Sequence, residues 1–179
     1  GFSKWRSALL NKARGNTLEV GIGTGKNIPY YPDGIHLTGI DFSERMISMA
    51  RKTHRESDHL SLQVMDAQDM SFPDDTFDTV VTSCVFCSVP DPVRGLEEIR
   101  RVCKPGGQVL MLEHVRSDMK MIGWMMDFLN PLPLHVYGAN INRQTFQNLL
   151  KAGFEPENIQ ITNLWFDIVK RISIVNDKE

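Results

Sequence analysis

The chain has 179 residues, 20 of them Lys or Arg and 22 Asp or Glu, for a formal net charge of -2, with 41% hydrophobic residues. That length suits one domain with its own core, and that charge gives no electrostatic case for a nucleic-acid partner. No apolar run reaches bilayer length, no signal peptide is visible, and three cysteines cannot all pair within one chain, so a reducing, cytoplasmic setting is expected. Phe2, Trp5, Leu9 and Ala13 recur at helical spacing, and Gly15 stands where a helix would stop. Residues 18–20 read as a short strand that runs into glycines. Pro29 and Pro32 allow only a short or broken helix after them. Residues 37–40 read as a second strand, followed by a helix capped by Ser43 with Met46, Ile47 and Ala50 on its buried side. Residues 60–65 form a third strand. Residues 77–85 are apolar and β-branched, as in a strand buried on both faces. Asp91-Pro92 starts a helix with a stripe of Val93, Leu96, Ile99 and Cys103. Pro105-Gly106-Gly107 turns into a fifth strand, 109–114. Residues 117–129 read as an amphipathic helix, and Asn142 caps another that ends at Gly153. Residues 159–163 and 166–174 close the chain as two strands, antiparallel because their connection is so short.

Strands alternating with helices predict an open, doubly wound α/β fold of seven strands, mostly parallel, with an antiparallel last strand. Ligands bind such sheets outside the carboxyl ends of the strands, and three features sit at those ends. Glu19-Val20-Gly21-Ile22-Gly23-Thr24-Gly25 follows the first strand, and its glycines suit either a plain tight turn or close approach to a ligand. Asp41 ends the second strand about 20 residues later, where a nucleoside fold places a carboxylate for ribose hydroxyls; it could equally serve the turn before Ser43. Asp66-Ala67 follows the third strand, where the acid either shapes a turn or accepts from an adenine amino group. All three together point to a nucleoside site. A dinucleotide fits less well. The third glycine or alanine of its fingerprint is Lys26 here, and Pro29 weakens the helix that a pyrophosphate wants.

These stretches resemble a known family. Residues 19–25 look like motif I of the class I S-adenosylmethionine-dependent methyltransferases, and Gly39-Ile40-Asp41-Phe42-Ser43 like their second motif. Asp66-Ala67 with Met70-Ser71-Phe72-Pro73 and Phe77-Asp78 resembles the third and fourth motifs, and residues 101–107 the turn before the fifth strand. The resemblance runs from about Thr17 to Gly153 and is greatest to the quinone-biosynthesis, phospholipid N-methyltransferase and thiol S-methyltransferase branches. Residues 80–89, Glu113-His114 and Asn142-Arg143 favour the last two. It implies a Rossmann-like fold with S-adenosylmethionine as cofactor. It implies that Glu19 and the backbone of Gly21 and Gly23, in the loop that ends at Gly25, hold the methionine part. Asp41 would take the ribose, Phe42 and Met46 cover the adenine, and Asp66 with Ala67 read its edge. Ser83 or Cys84 would lie beside the sulfonium. Further N-terminal helices that close over the donor in this family are expected outside this chain.

Cys84 and Cys87 form a Cys-x-x-Cys pair without the second pair that zinc wants, and they lie at a strand end, so no metal is expected. His114 is either a structural histidine or a substrate contact and weak base. His135 and Tyr137 are further substrate candidates, and His36, His54 and His59 are expected at the surface. The methionine-rich run around Trp124 reads as core, or else as a pliable cap over an apolar acceptor; residues 115–142 would form that cap within a single domain of 1–179. The reading is methyl transfer to a small lipophilic acceptor, with membrane contact only if that acceptor is a lipid. The alternatives are a nicotinamide-dependent oxidoreductase and a donor-binding module without turnover. Oligomeric state is not readable.

Overall fold

The computed structural model describes residues 2–117, 119–129, 144–165 and 168–178. Seven strands form one sheet: β1 Asn16–Val20, β2 His36–Asp41, β3 Leu60–Val64, β4 Phe77–Ser83, β5 Cys103–His114, β6 Ile159–Trp165 and β7 Val169–Asn176, in the order β3-β2-β1-β4-β5-β7-β6. The pairs among β1 to β5 are parallel, and β7 runs antiparallel to both β5 and β6. This is the architecture the alternating pattern predicts. The order turns back on itself between β1 and β4, which makes their carboxyl ends the crevice of the sheet.

Helices cover both faces. Among the described residues they are α1 Phe2–Leu10, α2 Glu44–Thr53, α3 Pro92–Val102, α4 Lys120–Leu129 and α5 Thr145–Lys151. Alternation along the central strands divides the core. Val80, Val109 and Met111 meet Leu96 and Ile99 of α3 and Leu149 of α5 on one face, while Val81, Leu110 and Leu112 meet Leu9 and Leu10 of α1 on the other. β4 thus buries both faces, which is why it reads as a continuous apolar run. Ile47 and Ala50 pack α2 onto Ile22 and Leu62. Asp91 caps α3 by accepting from the Val93 and Arg94 amides at 3.1 Å each, and Ser43 caps α2 by accepting from the Met46 amide at 3.4 Å. Among the described residues no helix is long and apolar enough to cross a membrane.

Several expectations are corrected. β5 begins at Cys103 rather than 109: the pairing jumps from Phe77–Cys103 to Thr79–Gln108, so the Pro105-Gly106-Gly107 turn is a bulge inside the strand. The first helix ends at Leu10, short of Gly15. The proline-interrupted stretch is a single 3-10 turn, Ile28–Tyr30. Met46 is 39% exposed and not on the buried side of α2, because the helix presents Ile47 and Ala50 to the sheet. His54 is half-buried, its ring against Gly25. The helix expected from 117 starts at Lys120, and most of its described apolar side chains lie outside the core. Met121, Trp124, Met125 and Phe128 are all at least half exposed, and of its described side chains only Met126 is buried. Gln144 stands at the start of α5, and Asn142 lies outside the described residues.

Candidate functional site

The loop after β1 turns through three residues of positive φ, Gly21 at 69°, Gly23 at 57° and Gly25 at 80°. A Cβ on Gly21 would stand 2.4 Å from a methyl of Val85, so the turn is packed against the segment that follows β4. A Cβ on Gly23 would meet nothing within 4 Å: this residue faces open space. The loop is tied to the tip of β2. The Ile22 amide donates to the Ile40 carbonyl at 3.0 Å, and the Gly23 amide donates to Asp41 Oδ2 at 3.0 Å. Asp41 Oδ1 accepts from the Ser43 amide at 2.9 Å. Each carboxylate oxygen has room for a second donor, so Asp41 can hold the loop and still accept from a ligand.

Glu19 is expected to meet the ligand, but it does not line the space in front of the loop. It is fully buried, and its two oxygens accept from Asn27 Nδ2 at 2.5 Å and the Tyr31 hydroxyl at 3.0 Å. Burial pushes its carboxyl up to about 7. Burial and the neighbouring Glu19 push the Tyr31 hydroxyl up as well. Gly25 packs under His54 and Ile28.

Below the tips of β1, β2, β3 and β4 lies a cavity of about 650 Å³, a size suited to one nucleoside-bearing ligand. Gly21, Gly23 and Asp41 form one side; Phe42 and Met46, Asp66 and Ala67, and Cys84 form the others. Phe42 is 80% exposed at the rim. Asp66 Oδ1 accepts from the Gln68 amide and side chain at 2.9 and 3.0 Å, the turn reading of that residue. It remains at the cavity wall, so the turn and the ligand readings are compatible. Gln68 in turn accepts from the Asp91 amide at 2.8 Å, joining this wall to the start of α3.

Eight of the eleven expected cofactor residues therefore meet at one cavity; Glu19, Gly25 and Ser83 do not line it. Gln68, Val85, Ser88, Val89 and Pro90 also line it and were missed. Their signal was positional: residues 85–90 follow β4, the strand next to β1, but only the sheet order reveals that adjacency. His114 ends β5, half-buried, and lines neither this cavity nor the smaller one of about 240 Å³ beside α5. Burial lowers its pKa, which leaves the imidazole neutral near pH 7. His135 and Tyr137 lie outside the described residues. Cys84 opens into the cavity, but burial of its thiol, with the Glu113 carboxylate beside it, pushes its pKa up to about 12. It is a neutral thiol at physiological pH. Cys87 Sγ lies 3.5 Å from the Cys84 carbonyl.

A doubly wound sheet with an antiparallel β7, a glycine turn after β1, an acid ending β2 and no long helix opening behind the glycines defines a nucleoside-binding α/β protein of the methyltransferase type. Residues 18–111 match the family of the methyltransferase domain. The chain is 37% identical to the phosphatidylethanolamine N-methyltransferase of Cereibacter sphaeroides over 68% of its own length and 68% of that protein. It is 34% identical to the human thiol S-methyltransferase TMT1B over 76% of its length, and spans 59% of that relative. In fold it is similar to phosphoethanolamine N-methyltransferase 2 of Haemonchus contortus, solved with S-adenosyl-L-methionine: TM-score 0.76 and 16% identity, covering 98% of this chain and 53% of that one. The chain belongs to the class I S-adenosylmethionine-dependent methyltransferases.

Proposed function

We propose that the cavity at the strand tips holds S-adenosylmethionine and that the chain transfers its methyl group to a small lipophilic acceptor, a phospholipid amine, a thiol or a quinone precursor. One observation carries the donor assignment: the Asp41 carboxylate bridges Gly23 and the start of α2 while facing an apolar cavity of nucleoside size.

The residues present fit the donor. Asp41 has spare acceptor capacity for ribose hydroxyls, and Phe42, Met46, Ala67 and Val89 offer apolar surface for a purine. Asp66 and Gln68 offer polar groups at its edge. The open side of Gly23 leaves the backbone approachable by an amino-acid tail. Cys84 and Val85 line the wall that follows β4. Glu19 contributes from behind, through the Asn27 and Tyr31 bonds that shape the glycine loop.

S-adenosylmethionine supplies a methyl group already activated by its positive sulfur. The chain supplies placement and exclusion of water, and such orientation contributes about 7–11 kcal/mol in well-aligned reactions. No catalytic dyad is demanded. The acceptor is tested by transfer of labelled methyl to phospholipid amine, thiol, phenol and quinone substrates. Transfer to one lipophilic class is expected. Donor binding without transfer to any of them would leave a binding module, and absence of donor binding would overturn the reading.

A further inference from the structure

Glu113, in β5 beside His114, is buried at 1% exposure and lines neither of the two cavities, yet three donor groups beside the donor cavity converge on it. Thr82 Oγ1 donates to its Oε1 at 2.6 Å. The Val85 amide lies 3.2 Å from Oε2 and 3.4 Å from Oε1, and the Phe86 amide 3.3 Å from Oε2. A hydroxyl and two successive backbone amides thus converge on one buried carboxyl group.

The segment held in this way needs holding. Cys84 has φ 56°, a left-handed conformation for a residue with a Cβ, which persists only where the surroundings enforce it. The Cys84 amide donates to the Leu112 carbonyl at 2.8 Å, and the next two amides turn inward to Glu113. That turn sends the Phe86 side chain into the core and lays Val85 against Gly21. Gly21 opens the loop whose Gly23 amide is bonded to Asp41. A contact chain therefore runs from Glu113 through Val85 to the glycine loop and the ribose-side acid.

The geometry points to Glu113 as a positioning residue for the donor cavity: by binding the Val85 and Phe86 amides it holds Cys84 and Val85 as the wall against which the glycine loop is set. This rests on the donor reading above. It differs from a merely structural role in one respect. Loosening the turn should move donor affinity beyond what equal destabilisation elsewhere in β5 moves it.

The test measures S-adenosylhomocysteine affinity by calorimetry, and melting temperature, for the parent chain and three variants. Glu113→Leu removes the acceptor; Glu113→Asp, too short to reach both amides, replaces it should the leucine variant not fold. Glu113→Gln can accept both amides through its carbonyl and donate to the Thr82 hydroxyl. Val109→Ala destabilises the same strand away from the turn. Expected are a loss of at least tenfold for Glu113→Leu or Glu113→Asp, rescue to within threefold by Glu113→Gln, and a Val109→Ala change within twofold despite a lower melting temperature. The proposal is overturned if the leucine or aspartate variant binds within twofold of the parent, if Val109→Ala weakens binding as much, or if Glu113→Gln gives no rescue. A parent chain that does not bind at all overturns the donor reading, and this inference with it.

Discussion

Asp41 accepts a backbone amide on each oxygen, from Gly23 and from Ser43, while lining the cavity. Removing it takes away a ligand acceptor and also leaves the Gly23 amide without its partner. The cost of one such unmade bond is about 1–3 kcal/mol. Asp41→Ala is therefore expected to weaken S-adenosylhomocysteine binding by roughly ten- to a hundredfold, as read by calorimetry; affinity equal to the parent would rule out the ribose role. Gly21 makes a second residue-scale case. Alanine there would combine a positive φ with a Cβ 2.4 Å from Val85. Gly21→Ala should destabilise the fold by about 2 kcal/mol, seen as a lower urea midpoint. Both residues are legible in the sequence because spacing along one chain marks them. Val85, Ser88, Val89 and Pro90 are not, since nothing local says that the turn after β4 lies beside the turn after β1.

At the scale of elements, α3 shows how a helix fixes the far side of the site. Asp91 caps it, and the Asp91 amide is bonded to Gln68, so the start of α3 is tied to the wall that carries Asp66. At its other end Arg101 donates to the Phe72 and Met70 carbonyls and to Asp74, each at 2.8 Å, and to Glu98 at 2.7 Å. The Arg101 hydrogen bonds hold Glu98 below the usual carboxylate range. That contribution is present at neutral pH and is lost as acid protonates Glu98. Arg101→Ala should cost about 2 kcal/mol and loosen residues 70–74, read as a lower melting temperature with faster amide exchange there. The Asp91-Pro92 signature predicts the start of α3 correctly, because capping is local chemistry. The helix around Trp124 shows the limit of periodicity. Its apolar residues repeat as a core helix would, but only Met126 among the described ones is buried. Spacing reports that a face is apolar, not what covers it.

For the whole molecule, two acids buried among the described residues contribute to the pH response. Glu19 and Glu113 each keep their proton up to about pH 7, where an exposed glutamate loses it near 4.5. Between those values the folded chain binds more protons than the unfolded one. Their stabilising effect is thus complete below 4.5 and is lost as pH rises through 7, by up to roughly 3 kcal/mol for each. Urea melts at pH 5 and pH 7.5 should show a smaller difference for Glu19→Gln than for the parent; an unchanged difference would contradict the assignment. From the sequence alone came the alternating α/β order, the antiparallel close and the identity of Gly21, Gly23, Asp41 and Asp66 as strand-tip residues. These follow from periods of 2 and 3.6, from turn chemistry and from spacing, all of which are local. The tertiary structure decided the rest. It turned Glu19 away from the cavity towards Asn27 and Tyr31, brought Val85 against the glycine loop, and set Glu113 beneath the Val85 and Phe86 amides. The last two relations join positions far apart in the chain, and they exist only once β4 is laid between β1 and β5 in the sheet; the first is a side-chain choice that the strand pattern does not fix.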